Sequence, residues 1–173
     1  VTRYDPNADS LSDKVMYFSA HRDLLDNNVN ALVADGVFKN AAGEYEISNR
    51  AGMFWFANEV NVNKNSFAGK TVKLVADINF GEEANNVWIP IGQTGATTFN
   101  GVFDGQNHTI KDLYVYSGNE TGANYSSGLF GWVESHTAGQ GHLKNVTIDG
   151  AVIVGHHNCG ALVGYITQET ALV

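Results

Sequence analysis

Apolar residues in this chain come mostly in short bursts that alternate with polar ones, and turn-forming residues separate the bursts. A period of two turns one face of an extended strand inward and the other outward. Thr71-Val72-Lys73-Leu74-Val75 reads as such a strand, and Leu113 with Val115 marks another. Helical spacing appears further upstream. Met53, Phe54, Ala57 and Val60 share one face, and Ser48 or Asn49 stands where an N-cap is needed, which predicts a helix over 48–61. Leu24, Leu25, Val29, Leu32 and Val33 predict a second helix between about 22 and 34. Val37-Phe38 and Tyr45-Glu46-Ile47 predict a hairpin around Asn40-Ala41-Ala42-Gly43.

The downstream half repeats itself. Ile110-Lys111-Asp112-Leu113-Tyr114-Val115 returns as Leu143-Lys144-Asn145-Val146-Thr147-Ile148, an offset of 33. Gly128-Leu129-Phe130-Gly131-Trp132-Val133 returns as Ala161-Leu162-Val163-Gly164-Tyr165-Ile166 with the same offset. Ile110 lies out of phase with Leu113 and Val115, so one residue between them must leave the extended conformation. Asp112, matched by Asn145, is the candidate, because Asp and Asn are the non-glycine residues that most readily adopt left-handed geometry. In the second motif Leu129, Gly131 and Val133 are read as inward, and Phe130 and Trp132, matched by Val163 and Tyr165, as an outward stack. Corners at equivalent positions of successive coils define a solenoid. The expected fold is therefore all-β dominated, a right-handed parallel β-helix with an N-terminal helical cap. Residues 1–45 form an N-terminal segment of open role, 46–98 the helix-containing cap and first coil, and 99–173 the repeating coils. A third copy of the first motif is expected at 176, past Val173, so the chain reads as part of a longer array.

The Gly-Leu-Phe-Gly and Gly-Ala-Leu-Val-Gly pair resembles the GLUG repeat of bacterial surface proteins. Asp77-Ile78, Trp88-Ile89-Pro90-Ile91-Gly92, Phe99-Asn100-Gly101-Val102-Phe103-Asp104-Gly105 and His108-Thr109-Ile110 resemble the segment that commonly precedes those repeats. The resemblance covers roughly residues 46 to 173. It implies a secreted or surface-anchored, adhesin-like protein of the kind frequent in gut Bacteroidetes. The family offers no shared catalytic residues to carry over.

Composition narrows the partners. Net charge is −8, with ten basic residues, which disfavours nucleic acid and anionic membrane surfaces. The arginines are Arg3, Arg22 and Arg50, and from residue 100 onward the only Lys or Arg residues are Lys111 and Lys144. Asparagine is as frequent as the 19 glycines, which suits a chain that turns often. No apolar run approaches the ~18 residues that span a membrane. Cys159 is the single cysteine, so there is no internal disulfide.

Candidate chemistry follows from the same repeat. Sugar-cleaving sites need clustered carboxylates, and lyases also need a base near the abstracted proton. Asp104, Asp112 and Asp149 are the acids on or beside strands, and each sits in a turn or corner signature. No catalytic residue and no cofactor is assigned. His156-His157-Asn158-Cys159 has soft-metal ligand types, but neighbouring histidines on a strand point to opposite faces. It reads as a loop with a buried cysteine, with no metal site, and His108 as a turn residue. Trp132 and Tyr165 remain. If outward, they stack into an aromatic platform that a sugar ring can lie on. The expected function is a non-catalytic surface module acting as spacer or binding platform. The alternatives are a glycan-binding module using Trp132 and Tyr165 and a polysaccharide-degrading enzyme. Partners would be a host or dietary glycan or a surface protein.

Overall fold

In the computed structural model the described residues are 31–81, 87–116, 125–135, 142–155 and 157–168. They are rich in strands, arranged in four sheets, with one helix. The described residues begin with two hairpins. β1 (Ala31–Ala34) pairs antiparallel with β2 (Val37–Lys39), which pairs antiparallel with β3 (Tyr45–Ile47). The second hairpin is the one expected around Asn40–Gly43, where the Asn40 side-chain oxygen accepts the amides of Ala42 and Glu44. The first corrects the helix expected over 22–34. Residues 31–34 are extended, and 22–30 lie outside the described residues. Asp35-Gly36 makes a tight hairpin turn, with Gly36 at φ +69°, and this turn chemistry overrides the helical spacing of Leu32 and Val33.

Helix α1 (Arg50–Asn61) follows β3. The Asn49 side chain caps it by accepting the Gly52 amide at 2.9 Å. Met53, Phe56, Ala57 and Val60 are buried at i, i+3, i+4 and i+7 spacing. The expected face had Phe54 in place of Phe56. Phe54 is 40% exposed, because it lies about 100° around the helix from Met53. Its ring still flanks Phe80 and Trp88. Phe56 instead meets Phe67, Phe99, Phe103 and Phe130 at centroid distances of 5.0–6.1 Å. One helical side chain thus enters the core built by strands from successive passes of the chain.

Three passes follow the helix. The first carries β4 (Thr71–Leu74) and β5 (Ile78–Asn79). The second carries β6 (Val102–Asp104), β7 (Thr109–Lys111), β8 (Tyr114–Tyr116) and β9 (Phe130–Ser135). The third carries β10 (Leu143–Lys144), β11 (Thr147–Asp149), β12 (Val152–Val154) and β13 (Val163–Gln168). Each strand pairs in parallel with its counterpart in the next pass, so β3, β4, β6 and β10 are neighbours in order, as are β5, β7 and β11. β8 pairs with β12 and β9 with β13 in the same sense. Inward residues therefore stack in columns: Val72, Phe103 and Leu143, then Ile78, Ile110 and Ile148. Ile91, Phe130 and Val163 form another column. In the first two passes these side chains are fully buried, and in the third they are half-buried. Full burial of each in the first two passes stabilises the stack by about 1.5–3 kcal/mol.

The corners carry the bends. Asp112 and Asn145 have φ of +55° and +54°, the left-handed geometry expected of them. They are not equivalent corners, however. Ile148 lies beside Ile110, an offset of 38, and Leu143 beside Phe103, an offset of 40. The Asp112 amide donates to the Asp149 carbonyl, which sets Asp112 beside Gly150, itself at φ +70°. The Gly105 amide donates to Lys144, which sets Gly105 beside Asn145. The 33-residue match of the first motif therefore aligned two different corners of successive passes. Both join short strands through one left-handed residue, so both select the same local pattern. The offset of 33 holds for the second motif, where Val163 pairs with Phe130 and Tyr165 with Trp132.

Two pairs of substitutions probe this fold. Asp112→Val is expected to lower stability by about 1–2 kcal/mol in urea unfolding, while Asp112→Gly stays within about 0.5 kcal/mol. Phe56→Ala is expected to cost about 3–5 kcal/mol and Phe54→Ala clearly less, measured in the same way.

Candidate functional site

Trp132 on β9 and Tyr165 on β13 stand side by side because their strands pair in register. Their ring centroids lie 4.1 Å apart with planes tilted by 42°. Tyr165 is 39% exposed and Trp132 half-buried. The aromatic stack expected from the repeat is thus present, but its two members differ. Trp132 also meets the turn of the preceding pass. A Cβ added at Gly95 would stand 3.5 Å from the Trp132 six-membered ring, in ordinary contact, so the Gly95 turn faces that ring. The Thr97 amide closes this turn onto the Thr94 carbonyl at 2.9 Å, and the Thr94 and Thr97 hydroxyls lie 3.3 Å apart. Along the order of passes Trp132 lies between Gly95 and Tyr165, and Tyr165 presents the more open ring.

An open depression of about 460 Å³ adjoins this turn, lined by Thr94, Gly95, Ala96 and Tyr125. Tyr125 reaches it through a bridge between its backbone and that of Thr94. Aromatic faces beside hydroxyl groups suit a ligand with apolar C–H faces and polar edges, the chemistry of a sugar ring. Sequence reasoning set Trp132 beside Tyr165 and did not bring Thr94, Gly95 and Tyr125 into their neighbourhood. The Thr94-Gly95-Ala96-Thr97 turn signature was legible, but its position over Trp132 depends on pairing across passes.

Phe130 departs from the outward role expected of it. It is fully buried, with Phe99, Phe103 and Phe56 around it. The alternation resets at Gly131, where the successive amides of Gly131 and Trp132 donate to the successive carbonyls of Ile91 and Gly92. Phe130 and Val133 then both face inward. Gly131 leaves room for the Gly92 carbonyl, which a side chain there would meet at 2.4 Å.

Of the three acids, Asp104 sits at one corner and Asp112 and Asp149 share the next. Asp104 is buried between passes, accepting from the Gln106 amide at 3.0 Å and from the Asn145 amide group at 3.0 Å, with the Lys144 ammonium at 3.3 Å. Burial pushes its carboxyl up, but the Gln106, Asn145 and Lys144 donors outweigh this and hold it below the usual aspartate range. Asp112 and Asp149 flank the next corner, joined through backbone. His108 pairs with a partner that sequence reasoning missed. Its Nδ1 lies 3.1 Å from an Asp77 oxygen that also accepts the Thr109 amide at 3.0 Å. The Thr109 amide, with His108 second, holds the exposed Asp77 carboxyl below its ordinary value. These contacts bind one pass to the next. Cys159 was expected to be buried, and it is exposed, on a bridge beside Ser127 at the edge of the third pass. His157 is exposed as well, and His156 lies outside the described residues. Among the described residues no three His, Cys, Asp or Glu side chains come together.

No family model, curated protein or solved structure matches the chain.

Asp104 gives a pH prediction. Its folded-state pKa is depressed, so its contribution is present at neutral pH and is lost as pH falls from about 4 downward. Asp104→Asn should cost about 1–3 kcal/mol at pH 7 and remove part of the acid-side loss. Urea unfolding at pH 7 and pH 3 measures both, and equal losses at the two pH values would contradict the assignment.

Proposed function

We propose that the chain is a stretch of right-handed parallel β-helix with α1 as its cap, working as a non-catalytic, extracellular module of the GLUG-containing, adhesin-like kind. Its role is to be a rigid spacer and display platform at a cell surface. The observation that carries this reading is the parallel pairing of each strand with its counterpart in the next pass. Such a stack lengthens one pass at a time, with the same columns of apolar residues extended each time. Right-handedness is the rule for parallel crossover connections. Of the acids that a sugar-cleaving enzyme would have to cluster, Asp104 is committed to Asn145 and Lys144 at one corner, and Asp112 and Asp149 meet through backbone at another.

A second reading is favoured by one observation, the 4.1 Å stack of Trp132 and Tyr165 beside the Thr94–Thr97 turn. In that reading the platform binds a glycan through Tyr165, with Trp132 beneath it. A glycan array separates the two. The spacer reading predicts no bound glycan and no oligosaccharide released from polysaccharides. The glycan reading predicts a bound class whose signal falls at least about tenfold in Tyr165→Ala.

A further inference from the structure

The face that carries Trp132 and Tyr165 holds a second column. Val133 is 2% exposed and stands inward between Trp132 and Glu134, so Trp132 and Glu134 point the same way from β9. Thr167 is the partner of Glu134, as Tyr165 is of Trp132. An aromatic column and a carboxylate–hydroxyl column thus lie side by side, about 7 Å apart along the strands. The first pass walls this face on one side. Ile91 pairs with Phe130 and Phe99 with Val133, so residues 92–98 stand where the second pass has only Gly131 and Trp132. The excess chain forms the turn that faces the Trp132 ring, with Gly95 and Ala96 exposed. On the other side the face is open at Tyr165.

We infer that this face selects glycans without acidic groups, an inference that rests on the glycan reading of Trp132 and Tyr165. A flat ring receives the C–H face of any pyranose, so the aromatic pair alone does not discriminate. Charge does. The Glu134 carboxylate accepts hydrogen bonds from sugar hydroxyls and repels a uronate, sialate or sulfate. The segments that build the face, 91–99, 125–135 and 157–168, contain no lysine or arginine. Lys111 and Lys144, the two lysines after residue 100, lie on β7 and β10, in other sheets. These segments therefore give an acidic sugar no ammonium or guanidinium to pair with. The spacing of about 7 Å between the two columns lies inside the roughly 8 Å Debye length of physiological salt, so a sugar on the platform feels the carboxylate. The net charge of −8 acts in the same direction.

An array of plant, host and microbial glycans tests this, with each neutral chain printed beside an acidic form. Lactosamine stands beside its sialylated and sulfated forms, and methyl-esterified beside free polygalacturonate. At about 0.15 M salt each bound chain is expected to give at least about tenfold more signal in its neutral form. Glu134→Gln should shrink that ratio to within about threefold, while Tyr165→Ala lowers the signal of both forms at least about tenfold. Raising the salt to about 1 M, where the Debye length is about 3 Å, should shrink the ratio in the unaltered chain. This covers the case in which Glu134→Gln fails to fold, as read by circular dichroism. Acidic forms bound as well as neutral ones overturn the selection and leave the glycan reading standing. So does a ratio that neither Glu134→Gln nor salt changes. An array with no bound glycan overturns both.

Discussion

Strands of two to six residues cannot hold themselves together. Each has too few backbone groups to form a stable hairpin and too few apolar side chains to bury alone. Here every strand from β4 onward borrows its hydrogen bonds from the pass before or after it. The interior depends on the same pairing, because Ile110 is buried only between Ile78 and Ile148. Registration between passes is therefore the constraint on which the rest depends. Where it slips, columns and backbone bonds are lost together.

The corners and the polar staples serve that registration. Left-handed residues at Asp112, Asn145 and Gly150 turn the chain without using up a strand. Asp104 joins its own turn to Asn145 of the next pass, and Asp77 joins the first pass to the Thr109 amide of the second. Outward positions are then left to function. Trp132 and Tyr165 are neighbours because β9 and β13 pair in register, and the valines and tyrosines of β8 and β12 form columns for the same reason. α1 adds its own contribution to the interior, with Phe56 among phenylalanines of the first two passes.

What was legible in the sequence was local. The alternation at 71–75, the Asn49 cap, the hairpin at 40–43 and the left-handed residues at 112 and 145 all follow from short-range chemistry. The pairing of Trp132 with Tyr165 was legible because their pass-to-pass offset is the one the repeat displays. What was not legible depends on loop length between corners. Four residues separate β6 from β7, but two separate β10 from β11, so the true offset drifts from 40 to 38 and then to 33 around one pass. A single offset cannot describe it. Two corners with one chemistry then looked like one corner repeated. The inward turn of Phe130 was hidden by the reset at Gly131, and the Asp35-Gly36 turn by apolar residues that happen to fit a helix.

The parallel registration itself is open to direct test by cysteine pairs in a Cys159→Ser background. Tyr114→Cys with Val152→Cys joins two residues that face each other across β8 and β12. The account predicts that this pair forms a disulfide rapidly under mild oxidation. Tyr114→Cys with Thr147→Cys represents the uniform 33-residue register, and should remain reduced. Rapid closure of the second pair, with the first staying open, would contradict the stacking described here.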